Sequence, residues 1–143
     1  VRARVAEGMI FISDAKTVVN INSASGAIGY AAGHGNTTVG TDIANSLLTV
    51  ASKNVASVEI SGTVGTVTLT TSAIAGNGTL IATPYTGGTD AFGTGGVALI
   101  TAVTQTPLPN PTAVIKWRCK SIGAIGFGAV GTLESRYAPS ECR

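Results

Sequence analysis

Residues 1–21 carry an unbroken helical hydrophobic repeat, and a chain that opens this way must cover one long helix with its remaining residues. Val1, Val5, Met9, Ile12, Ala15 and Val19 recur at the three-and-four spacing that lines one face of a 3.6-residue period. A second, narrower stripe of Ala3, Ala6, Ile10 and Thr17 lies on roughly the opposite side, more apolar than a helix back that faces only water. The expectation is a helix covered twice. Its start lacks a Ser, Thr, Asp or Asn cap and places Arg2 and Arg4 in the first turn, where the positive end of the helix dipole disfavours cations. The economical expectation is a helix that continues upstream of Val1, with Arg2 and Arg4 in its interior; a frayed natural terminus is the alternative.

Asn20, Asn22, Ser23, Ser25 and Gly26 end the periodicity. Glycines at 26, 29, 33, 35 and 40 make residues 26–40 a long connecting loop, after which Thr41 or Asp42 caps a short second helix through Ile43, Leu47, Leu48 and Val50. Strand candidates come next at 55–61 and 63–71 with a hairpin near Gly62, and at 79–83 after the Gly76-Asn77-Gly78 turn, with Pro84 closing the strand. Others lie at 97–104 and 113–119, separated by Pro107, Pro109 and Pro111. Nineteen glycines and only 5% aromatics suit short strands and many turns better than a helical bundle. The predicted class is α+β, one long helix packed on a roughly four-stranded antiparallel sheet. Its length suits a single domain over residues 1–143, divided into helix (1–21), connecting loop (23–54), sheet (55–119) and a C-terminal loop (119–142).

A formal charge of +2 is too small to make nucleic acid or an anionic membrane the main partner. The excess sits near the C-terminus, on Lys116, Arg118, Lys120, Arg136 and Arg143 against Glu134 and Glu141. Cys119 and Cys142 read either as an exported disulfide or as two free thiols; a weakly charged, Gly- and Thr-rich chain favours export. If they pair, the chain-entropy model gives the closed loop roughly 3 kcal/mol of stabilisation. No CxxC or Cys/His cluster points to a metal or redox site, and no apolar run reaches the ~18 residues of a membrane span, so a targeting segment is expected upstream.

Catalysis finds little support. His34 lies between Gly33 and Gly35 without a nucleophile motif and reads as a solvated loop residue. Asp14, Asp42, Glu59 and Asp90 are scattered, and no strand, G-x-G-x-x-G and helix occur in order. No cofactor is expected. Asn36-Thr37-Thr38 and Asn77-Gly78-Thr79 match the N-glycosylation pattern, which is common by chance.

Both ends of the chain carry a resemblance. Val5-Ala6-Glu7-Gly8, Ala15-Lys16 and Val19 look like the second half of a long pilin helix. Trp117-Arg118-Cys119 and Tyr137-Ala138-Pro139-Ser140-Glu141-Cys142 look like the last strand and closing segment of a C-terminal disulfide loop. The sequence resembles the globular part of a Gram-negative type IV pilin at both ends; the middle fits by architecture alone. The resemblance implies a Cys119–Cys142 bridge, a missing apolar half-helix that holds the subunit in the inner membrane before assembly, and an extracellular fibre afterwards. It also implies copies of the same chain and the pilus assembly machinery as partners, with adhesion and twitching motility as outcomes.

Under that resemblance Ala3, Ala6 and Ile10 form the candidate assembly face, repeated heterologously into a helical filament. Ile122, Ile125, Phe127, Val130 and Arg136 form the candidate recognition surface of the C-terminal loop, for neighbouring subunits or a host-surface receptor. Lys116, Lys120 and Arg136 are the candidate contacts for DNA phosphates, though no dense basic stripe accompanies them. A minor pilin, a secretion pseudopilin and a stand-alone secreted adhesin domain are the alternatives.

Overall fold

The computed structural model describes residues 1–35, 43–49, 52–103, 106–109 and 113–143. One helix, α1 (Arg2–Ser25), outruns the expected 1–21 because Asn22 and Ser23 are buried within its last turns. Asn22 satisfies its side-chain amide by donating to the carbonyls of Tyr30 (2.8 Å) and Ala32 (2.9 Å). The helix stops at Gly26, whose φ of 71° is the left-handed conformation glycine adopts without a Cβ penalty, and whose N–H bonds the Asn22 carbonyl.

The buried face of α1 is Val5, Gly8, Ile12, Ala15, Val19, Asn22 and Ser23. Gly8 is the fully buried member of this turn, with Met9 partly buried against the core beside it, and Val1 is 48% exposed. A Cβ on Gly8 would lie 2.5 Å from Leu69 Cδ2, so the missing side chain is what lets the sheet approach the helix. That approach offsets the ~1 kcal/mol a mid-helix glycine costs relative to alanine. Arg2 and Arg4 also escape a lone encounter with the dipole. Arg2 Nη2 donates to the Arg136 carbonyl (2.8 Å) and Arg4 Nη1 to the Ile74 carbonyl (2.9 Å), tying the start of the helix to two distant turns.

The strands are β1 (Ser46–Thr49), β2 (Val55–Ile60), β3 (Val67–Thr71), β4 (Thr79–Gly87), β5 (Gly96–Ala98) and β6 (Lys116–Lys120), in one antiparallel sheet of six strands among the described residues. β1, β2 and β3 run as a meander into β4. On that same edge of β4, β3 pairs as far as Ala82 (with Val67) and β5 begins at Tyr85 (with Ala98). The opposite edge of β4 is taken by β6, from Ile81↔Lys120 to Tyr85↔Lys116.

Three strand-level expectations change. The short helix expected through Ile43 and Leu47 is strand β1, paired as Leu48↔Val58, since its Leu-Leu run is equally compatible with a strand and the neighbouring β2 decides. The cap residues Thr41 and Asp42, the end residue Val50 and the Asn36 sequon lie outside the described residues. Pro84 does not close β4: it lies mid-strand opposite Trp117, in the gap between the β3 and β5 pairings, where a strand tolerates a residue without an N–H. The strand expected at 97–104 shortens to Gly96–Ala98, and the last one shifts to Lys116–Lys120.

The core lies between α1 and the sheet. Val5, Ile12 and Val19 meet Val58, Ile60, Val67, Leu69 and Leu80, all fully buried, with Leu133 from the C-terminal loop. Each such side chain contributes roughly 1.5–3 kcal/mol on removal from water. One face of the helix is thereby spent on its own chain.

Candidate functional site

The segment after β6 is organised by a strand that alternates cation, cysteine and cation. Cys119 bonds to Cys142, with the sulfurs 2.02 Å apart. Its neighbours Arg118 and Lys120, on the other side of the strand by the two-residue period, are 4% and 5% exposed. Arg118 donates through Nε (3.1 Å) and Nη2 (2.9 Å) to the Ile125 carbonyl, through Nη1 to the Glu141 carbonyl (2.6 Å) and through Nη2 to the Arg143 carbonyl (2.9 Å). Lys120 Nζ donates to the carbonyls of Gly126 (2.9 Å) and Gly128 (2.8 Å). Burial, reinforced by the Arg118 charge, lowers the Lys120 pKa. Glycine is needed at this turn: Gly126 and Gly128 have φ of 105° and 92°.

These bonds set which loop residues face outward. Ile122, Ile125 and Val130 are exposed, at 51%, 65% and 46%. Phe127 is only half-exposed: its ring lies 5.3 Å from that of Tyr85, and its N–H bonds the Phe92 carbonyl at 2.8 Å. Arg136 is exposed, paired with Glu134 at 2.6 Å and stacked on Tyr137. Lys120 does not join it as a surface cation, because its charge is consumed by loop carbonyls; this corrects its place among the phosphate contacts. Lys116 is exposed and donates to the Gly87 carbonyl.

On the helix, Ala3, Ala6, Ile10 and Thr17 are all exposed, with Ile10 at 63% and Ile21 adding 58%. The stripe points away from the sheet, opposite the Val5-Ile12-Val19 face. One further tie holds the helix. Ser52 Oγ and Asn54 Nδ2 donate to the Glu7 carboxylate and keep its pKa below the ordinary carboxylate value.

His34 is not solvated. It is 7% exposed, and its Nδ1 lies 2.6 Å from the hydroxyl of fully buried Ser46, joining the connecting segment to β1. Burial lowers its pKa from the usual 6.5, with the Asp14 charge opposing. Above pH ~6.5 the ring is neutral in both folded and unfolded chains; below it the unfolded chain takes up a proton that the fold resists, so stability falls as pH falls. The melting temperature should drop between pH 7 and 5, and His34→Gln should remove that step while leaving the loss below pH ~4.5 that Glu7 contributes. An unchanged pH profile in the variant would refute the assignment.

Arg118 is the loop-anchoring side chain whose role sequence reasoning passed over, having named it only as excess charge and within the Trp117-Arg118-Cys119 motif. The available signal was a cation on each side of a strand cysteine, a position where a side chain has little access to water. Among the described residues no group of His, Cys, Asp and Glu is placed to hold a metal ion, and no helix is long and apolar enough to cross a membrane.

A family model described as pilin, bacterial filament, matches residues 1–143. No curated protein and no solved structure matches the chain.

Proposed function

The chain belongs to the pilin family, the structural subunits of bacterial filaments, and from that premise we propose that it polymerises as a type IV pilin whose fibre serves adhesion and twitching motility. The observation that carries the reading is the two-sidedness of α1: Val5, Ile12 and Val19 are fully buried against the sheet while Ala3, Ala6 and Ile10 remain exposed on the same helix. A stripe of small and aliphatic residues lets a neighbouring helix approach closely, and a heterologous contact repeated along an axis builds a filament rather than a closed ring. Residues 1–143 act as one assembly unit. The disulfide loop, with Ile122, Ile125, Val130 and Arg136 outward, is the outer surface that meets neighbouring subunits or a receptor.

In cells that make the filament, Ile10→Glu should reduce sheared fibres at least ~10-fold, because a carboxylate at a packed subunit contact is left desolvated and unpaired. The isolated variant should unfold within ~0.5 kcal/mol of the parent, as an exposed substitution does. Wild-type fibre yield from Ile10→Glu would refute the assembly face. Mass spectrometry of the sheared fibres tests the subunit role itself: this chain should be the dominant species.

A further inference from the structure

Away from both surfaces, α1, the turn before β5, β6 and the C-terminal turn enclose a cleft of about 230 Å3. Its walls are Lys16, Phe92, Trp117, Arg118, Ser140 and Glu141, with Cys119 at one side. Lys16 is the informative residue. Its ammonium lies 5.9 Å from the centre of the Trp117 ring and feels the Glu141 charge, but it has no hydrogen-bond acceptor among the described residues. Burial lowers its pKa, with Glu141 opposing, so the half-buried ammonium has lost part of its water without gaining a bonded partner.

The surrounding groups specify what would complete it. The Trp117 indole N–H donates to Asn20 Oδ1 (3.4 Å), and the Arg118 guanidinium lies 5.0 Å from the centre of the Phe92 ring. Two aromatic side chains favour a ring that presents an apolar C–H face. Ser140 and Glu141 line the cleft, and a hydroxyl and a carboxylate suit a ligand rich in hydroxyls, which can donate to one and share with the other. Glu141 repels a dianion such as phosphate about twice as strongly as a monoanion, so a single negative charge suits Lys16 better. The volume holds one six-membered sugar ring and its substituents.

We propose that this cleft binds a pyranose ring bearing one carboxylate, the hexuronate class of sugar, with the carboxylate on Lys16 and the ring against Trp117. The site is complete within one chain and stands or falls separately from filament assembly.

Trp117 is the chain's single tryptophan, so its fluorescence reports on the cleft directly. Glucuronate added to the isolated chain should change the emission saturably, with half-saturation at about 1 mM, as befits one ring with few contacts. Glucose and acetate, which lack the carboxylate and the ring respectively, should bind at least ~10-fold more weakly, since a charge-assisted bond is worth about that factor. Lys16→Gln should weaken glucuronate by a similar factor, and Lys116→Gln, a cation outside the cleft, should not. Amide shifts on glucuronate addition should centre on residues 16, 91–92, 117–118 and 140–141, which reports independently of the variants. Equal binding of glucose or acetate, an unaffected Lys16→Gln, shifts located elsewhere, or no saturable response would each overturn the proposal.

Discussion

Replacing Arg118 with methionine is expected to lower the unfolding free energy by about 4 kcal/mol. The aliphatic part of methionine fills the space of the arginine stem, so the loss reports on the guanidinium. That group donates to the carbonyls of Ile125, Glu141 and Arg143 from a position only 4% exposed. Without it those acceptors lose a charged donor, each at a cost of roughly 1–3 kcal/mol, reduced where water can enter. Arg118→Lys should recover less than half, because one ammonium cannot span carbonyls that a planar fork reaches in several directions. Urea titration with the disulfide intact measures both. A loss below ~1 kcal/mol for the methionine variant would mean that water replaces the guanidinium freely and that the loop is organised by something else.

Removing the bridge, by Cys119→Ala with Cys142→Ala, should cost about 3 kcal/mol. The cysteines are 23 positions apart, and the chain-entropy model gives a loop of that length about this much through the unfolded state. The native segment should stay docked, since the Ser121 N–H still bonds the Cys142 carbonyl (2.7 Å) and Arg118 still holds Glu141 and Arg143. Near-native amide protection around Gly126 and Gly128 in the bridge-less variant would show this, because Lys120 holds both carbonyls without sulfur. Combining the bridge removal with Arg118→Met should cost less than the sum of the two by more than ~0.5 kcal/mol. Once the closing segment detaches, neither restraint has anything left to hold. Strict additivity would show instead that the bridge and the guanidinium stabilise independent parts of the chain.

Local chemistry was enough to read a good deal of this molecule. The helix, its inner positions Val5, Ile12, Ala15 and Val19, and the exposed stripe Ala3, Ala6 and Ile10 follow a 3.6-residue period. The turn at Gly76-Asn77-Gly78 is similarly local, as is the breaker run 20–26 whose last residue, Gly26, ends a helix expected to stop at 21, and the resemblance of both chain ends to pilins is matched by a family model over the whole chain.

The features that sequence reasoning missed depend on partners distant in the chain. Whether Leu47-Leu48 forms helix or strand is decided by Val58 and Glu59 across the sheet, and Pro84 is accommodated because β3 and β5 share an edge of β4 with a gap between them. Gly8 joins Met9 on the inner face because Leu69 needs the space, and His34 is buried because Ser46 lies against it. The cleft is the extreme case: Lys16, Phe92, Trp117 and Glu141 come from four separate parts of the chain. Periodicity and turn chemistry act between neighbours and are written in the order of residues. The direction of a buried charge, such as Lys120 turned toward Gly126 and Gly128, is settled only when the fold brings acceptors to it, because the same cation facing water would be equally consistent with its neighbours in sequence.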